Sequence, residues 1–229
     1  MYWDDDQKTV EVTAGNDVVD MVFSLDCRCL PVDHLYALYQ AVQGVLPWLL
    51  DEPLAGLHGV YVAASGNGWI RPQGPDALLH LSRRTKLILR VPEKRIDDVK
   101  QLQGVLLDVG GHKMGVKTAT KRSLSTITTL FARAIATDQD MPEEPEMLDW
   151  VARQLVEIDI NARKMLCGTE HFIETAKGKI RTRSLMIADL EVEESLRLQQ
   201  LGLGPHRHLG CGLFLPHRDI NDLSSEKNQ

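Results

Sequence analysis

The chain has 229 residues, 43% of them hydrophobic, enough to bury one large core or two small ones. Its formal net charge of -6 argues, taken alone, against a nucleic-acid partner. No apolar run approaches the ~18 residues of a membrane span. The opening MYWDDDQKTV is acidic where a signal peptide is basic, and Cys27 and Cys29 are too close to seed a disulfide framework, so a reduced, cytoplasmic protein is expected.

In chain order, Asp17 to Leu25 (DVVDMVFSL) alternates apolar residues at Val19, Met21 and Phe23 and predicts a strand. DHLYALYQAVQGVLPWLL follows, with Leu35, Leu38, Val42, Val45 and Leu49 at helical spacing behind Asp33 as N-cap. HGVYVAAS and TKLILRV predict two strands around a Gly/Pro-rich turn at Asn67 to Asp76. Pro92 opens a short helix that ends before Gly104, and VLLDVG predicts another strand.

The second half repeats this order of elements without repeating residues. LSTITTLFARAIA reads as a strand, and EPEMLDWVARQLVEIDI as a helix with Met147, Trp150, Val151, Leu155 and Ile158 on one face. EHFIET and GKIRTRSLMIADL predict a hairpin turning near Gly178; EVEESLRLQQLG is a helix and GCGLFLP a final strand. The expected class is α+β: two tandem ferredoxin-like (βαββαβ) units at residues 17–112 and 123–219, a basic connector at 113–122, and a C-terminal glycine-rich loop.

Charge is polarised along the chain. Arg83 to Arg122 holds eleven Lys/Arg against four Asp/Glu, and Thr137 to Asn161 holds eight Asp/Glu against one Arg. A basic face on an acidic chain can still meet a polyanion, although runs of this kind also form ordinary solvated surface. GGHKMGVKTATKR supplies Lys113, Lys117, Lys121 and Arg122, and KGKIRTR aligns Lys177, Lys179, Arg181 and Arg183 on one strand face. Like charges so aligned repel unless an anion lies across them, or they guard an edge strand. Arg83, Arg84 and Lys86 form a third cluster, and with only 5% aromatic residues phosphate contacts should outweigh base stacking.

The stretch LGLGPHRHLGCGLFLPHR, Leu201 to Arg218, lies between a helix and a strand. Nucleotide-binding glycines lie between a strand and a helix, and the Walker Lys-Ser/Thr pair is missing, so a nucleotide-phosphate loop is not expected. Glycines here supply backbone N–H groups for phosphate oxygens, joined by His206, Arg207 and His208, or they serve as a helix C-cap and a strand bend. The spacing of His206, His208, Cys211 and His217 matches no zinc pattern, so no metal or cofactor is expected.

Gly202-Leu203-Gly204, five residues, then Gly210-Cys211-Gly212 resembles the G-h-G-x5-G-x-G signature of the repeat-associated RNA-binding (RAMP) proteins of CRISPR systems. With two ferredoxin-like units, a histidine on the first helix and the ending GCGLFLPHR, the chain resembles the precursor-crRNA-processing endoribonucleases (Cas family six). LPVDHLYALYQAV is most similar to their type I MYXAN branch. The resemblance implies a metal-independent endoribonuclease that binds CRISPR repeat RNA and cleaves precursor crRNA into guide RNAs. A base takes the 2′-OH proton, that oxygen attacks the adjacent phosphate, and a 5′-OH leaves. It also implies other subunits of a type I interference complex as partners, and Gly202, Gly204, Gly210 and Gly212 as part of the RNA site. The motif does not separate a nuclease from a non-cleaving RAMP subunit, and a tandem ferredoxin-like ligand-binding module without RNA is a further alternative.

His34, in the first turn of the first helix, lies off the apolar stripe with small Ala37 and Ala41 beside it, and the helix dipole favours its neutral form. The resemblance makes it the catalytic base. Tyr36 is expected to orient the phosphate or leaving oxygen, Lys113 to add a cation, and His206 or His208 to place a second imidazole opposite His34.

Overall fold

The computed structural model describes residues 18–61, 74, 77–137 and 143–217. The first half contains β1 (Val18–Asp26), β2 (Cys29–Pro31), α1 (Leu35–Gln43), β3 (Gly56–Leu57), β4 (Leu78–His80), β5 (Lys86–Pro92), α2 (Ile96–Val99), β6 (Leu106–Val109) and β7 (His112–Arg122). The second contains β8 (Leu130–Ile135), α3 (Glu144–Glu157), β9 (Lys164–Thr175), β10 (Gly178–Ala188), α4 (Val192–Leu201) and β11 (Phe214–Pro216).

β2 and β4 form a two-stranded sheet, and the two larger sheets run β3-β5-β1-β7-β6 and β11-β8-β10-β9, with every pairing antiparallel. In both larger sheets, the first strand lies between the third and the last, with the second beyond the third. That is the ferredoxin-like order, present twice.

The segment expected to connect the units is instead the last strand of the first. Residues 113–122 form most of β7, which pairs with β1 from Asp20↔Arg122 to Asp26↔Gly115. Its exposed lysines suggested a linker, but Met114 and Val116 are buried at period two, the mark of a strand. VLLDVG is a strand too, but its role differs: β6 is the outer arm of a hairpin with β7, turning at Gly110 and Gly111, both at positive φ. The described residues of HGVYVAAS, 58–61, carry no strand; the strand here is Gly56–Leu57 just before them, and 62–65 lie outside the described residues, as does most of the turn expected at 67–76. LSTITT is not strand either. Gln199 and Ser195 on α4 bond Ser125 N–H, Ser125 C=O and Ile127 C=O, taking backbone groups a sheet would have used.

The cores are unequal. Leu130, Met147, Val151, Leu185, Ile187 and Phe214 fill the space between the second sheet and its helices. The first core, around Phe23, Leu38, Val42 and Leu89, also takes in Ala134, Ile173, Leu209 and Cys211 from the second unit. Apolar packing therefore crosses the seam between the units. One buried cation crosses it as well: Arg90 on β5 bonds Asp20 at 2.8 and 3.2 Å and donates to the carbonyls of Gln199 and Phe214, both at 2.8 Å. Breaking such a buried pair costs about 3–5 kcal/mol.

Candidate active site

The glycine loop is built inward. Gly202, Gly204, Gly210 and Gly212 all have positive φ, and most of the loop is buried. A Cβ on Gly202 would strike Gly212 C=O, one on Gly204 Ala136 C=O, and one on Gly212 Leu203 C=O. These glycines therefore let backbone approach backbone. Arg207, expected to contact RNA, has a different task. Its guanidinium donates to the carbonyls of Leu54 at 3.1 Å, Ala55 at 3.2 Å, Gln200 at 3.1 Å and Leu201, tying the first unit to the C-terminus of α4. Burial, then the Arg90 charge, pushes its pKa down to about 10.

His206 holds a left-handed conformation at φ 67, and its ring lies 5.9 Å from that of His208. The His208 ring packs 4.5 Å from Tyr39 of α1, and burial followed by the neighbouring His206 lowers its pKa. Neither histidine lines the cleft that holds His34, so the second imidazole expected from this loop is not there. Cys211 is buried in the core, its thiol pushed up to about 12, and among the described residues no three His, Cys, Asp or Glu side chains converge as metal ligands.

That cleft, of about 450 Å³, lies between the start of α1 and the second sheet. The first unit supplies Asp33, His34, Leu35 and Tyr61; the second supplies Phe131 and Arg133 from β8, His171 from β9, and Thr182 and Ser184 from β10. Arg133 lies over the Tyr61 ring, 4.2 Å from its centroid.

His34 differs from its sequence description. It, rather than Asp33, occupies the N-cap position of α1, and it is 2% exposed. Its Nδ1 faces the carbonyls of Pro31 at 3.0 Å and Val32 at 3.2 Å, while Nε2 accepts the Val60 N–H at 3.0 Å. A carbonyl can only accept, so Nδ1 carries the proton and Nε2 the lone pair, which is the tautomer a base needs. Tyr36 and Lys113 are not cleft residues: Tyr36 Oη accepts from Gln40 at 3.3 Å, and Lys113 pairs with Asp108 at 2.8 Å.

The basic strands are paired internally. On β7, Lys117 meets Asp26 at 3.1 Å, Lys121 meets Glu93 and Arg122 meets Asp20 at 2.9 Å. On β10, Lys179 meets Glu174 at 2.6 Å, and Arg181 and Arg183 share Glu170 at 2.6 and 3.5 Å; Lys177 sits in the turn. The anion across KGKIRTR is largely the carboxylate row of β9. Arg83 and Arg84 stand differently: the turn closed by Thr85 N–H on Ser82 C=O at 3.0 Å presents both to solvent.

His171 is the cleft residue that sequence reasoning missed. Its signal was period two on β9: it shares a face with buried Ile173, whereas Glu170, Phe172 and Glu174 share the other.

The Cas6 Crispr family matches residues 19–219. The chain belongs to that family. It is 27% identical over 198 residues to the CRISPR-associated endonuclease Cas6 of Myxococcus xanthus (strain DK1622), covering 86% of this chain and 81% of that one. In fold it is similar to a Cas6-related protein from Pyrococcus furiosus, with a TM-score of 0.63 at 14% identity over 88% of this chain and 99% of that one. It is also similar to Thermus thermophilus Cse3 bound to an RNA representing a pre-cleavage complex, with a TM-score of 0.50 at 14% identity over 86% and 98%. Among the described residues of this Cas6-family chain, no helix is long and apolar enough to cross a membrane.

Proposed function

We propose that this Cas6-family chain is a metal-independent endoribonuclease that binds CRISPR repeat RNA and cuts precursor crRNA by attack of a 2′-OH on the adjacent phosphate. The observation carrying the reading is a histidine held in the base tautomer at the edge of a cleft between the two units, in a chain whose family includes a named endonuclease. In the reaction, Nε2 of His34 exchanges the Val60 N–H for the 2′-OH and takes its proton. The new oxygen–phosphorus bond forms as the P–O5′ bond breaks, and Arg133 offsets the charge gathering on the phosphate oxygens. The glycine loop supports this chemistry indirectly, by fixing α4 and the first unit across the seam. Retained product would give the other subunits of a type I interference complex their point of attachment.

The test is incubation with the cognate repeat RNA in EDTA, comparing wild type with His34→Ala. Wild type is expected to yield one guide-sized product with a 2′,3′-cyclic phosphate or 3′-phosphate end. The variant is expected to bind with unchanged affinity and cleave about 10²–10⁴-fold more slowly. RNA bound but left intact by wild type would instead identify a non-cleaving RNA-binding subunit.

A further inference from the structure

The tautomer that suits His34 to abstract a proton leaves it nothing to donate. Its one ring N–H points at the Pro31 and Val32 carbonyls inside its own loop. Cleavage by 2′-OH attack moves two protons, one off the nucleophile and one onto the departing 5′-oxygen. The second transfer is speeded by a further proton donor facing the cleft.

Six titratable residues line it: Asp33, His34, Tyr61, Arg133, His171 and Glu174. An imidazole alone among them changes charge near pH 7 without special tuning. His171 is the second imidazole. It comes from β9 of the second unit, while His34 comes from the start of α1 in the first, and the two residues line the same cleft. The backbone beneath it is fixed: His171 pairs with Thr182 on β10, whose hydroxyl donates to the His171 carbonyl at 3.1 Å. Phe131 and Tyr61, the latter under Arg133, supply flat surface for one unstacked base beside the phosphate.

We propose that His171 is the general acid of the cleavage reaction, protonating the 5′-oxygen as His34 deprotonates the 2′-oxygen, with one splayed nucleotide seated in the cleft between them. The inference rests on the endoribonuclease reading, and its test keeps the two apart. His171→Ala and His34→Ala are compared on the cognate repeat RNA and on the same RNA carrying sulfur in place of the bridging 5′-oxygen at the cut site. A thiolate leaves without a proton, so general-acid catalysis is dispensable on that substrate.

On ordinary RNA both variants are expected to lose about 10²–10⁴-fold in cleavage rate. On the sulfur-bridged RNA, His171→Ala is expected to return to within about 10-fold of wild type while His34→Ala stays slow. Equal binding of both RNAs in a gel-shift titration accounts for any change in folding or affinity. The proposal is overturned if His171→Ala cleaves ordinary RNA at the wild-type rate, or if sulfur fails to rescue it. Rescue of His34→Ala instead would reverse the two roles and overturn it equally. If wild type cuts neither RNA, the endoribonuclease reading itself falls.

Discussion

The two faces of the four-stranded sheet differ in a way that charge counting along the chain does not reveal. The α3 side of β10 carries Lys179, Arg181 and Arg183, matched by Glu170 and Glu174 across the ladder and approached by Glu143 at the start of α3. The other face of the same sheet brings Arg133, His171, Thr182, Ser184 and Phe131 to the cleft, which Glu174 also borders. The dense face is nearly neutral, and the sparse one is the face on which the proposed chemistry would take place. A cation facing a carboxylate on the neighbouring strand has its field largely cancelled at a distance. A single arginine over an aromatic ring in a concave site keeps its field where a substrate would lie.

The largest effect expected from this contrast is at Arg133. Arg133→Ala should slow cleavage of bound repeat RNA about 10²–10³-fold, the scale of losing one charge-stabilising donor. Single-turnover rates at saturating protein would measure it, and a rate near wild type would remove the cleft face from the mechanism.

Next in size is the acid sensitivity of the seam beneath that face. His58 is buried, its Nε2 lacks a partner among the described residues, and burial followed by the Arg90 charge pushes its pKa down to about 3. In the unfolded chain it titrates near pH ~6.5, so between roughly pH 6.5 and 3 the unfolded state holds a proton that the folded state lacks. Stability therefore falls with pH by up to about 1.4 kcal/mol per unit in that window. Asp20 adds to the trend at lower pH: burial raises its pKa, but the Arg90 charge and hydrogen bond outweigh that and bring it to about 2. Its contribution is present above the unfolded value near pH ~3.9 and is lost as pH falls through about 2. Urea midpoints at pH 7 and pH 5 should separate for wild type and nearly coincide for His58→Phe.

The smallest effect belongs to the crowded face. Lys179→Gln combined with Arg181→Gln should weaken repeat-RNA binding by less than about threefold, with the log–log salt slope changed by less than 1, because these charges already have protein partners. A steep loss of affinity and a flatter slope would show that RNA displaces the carboxylates of β9, and would erase the distinction between the faces.

Much of this architecture was legible in the chain. Alternation at Val19, Met21 and Phe23, and the helical spacing of Met147, Val151 and Leu155, report burial directly, because a residue's side of a strand or helix follows from its position. The glycines were legible as a motif but not as a mechanism. That Gly202, Gly204 and Gly212 serve backbone contacts depends on Ala136 and Leu203, which meet them only after the chain has folded. The lysines of β7 obscured a strand because their charge was more conspicuous than the buried Met114 and Val116 between them.

By itself the sequence determined two ferredoxin-like units, the histidine at the start of the first helix and the glycine signature, since each rests on local spacing or on periodicity within one element. Tertiary structure alone decided which charges are cancelled, which nitrogen of His34 holds the lone pair, and that His171 shares a cleft with it. Those properties depend on pairs such as Arg181 with Glu170, Val60 with His34, and β9 with the start of α1. Such partners lie from about ten to more than a hundred residues apart in the chain and meet only when the apolar seam between the units closes.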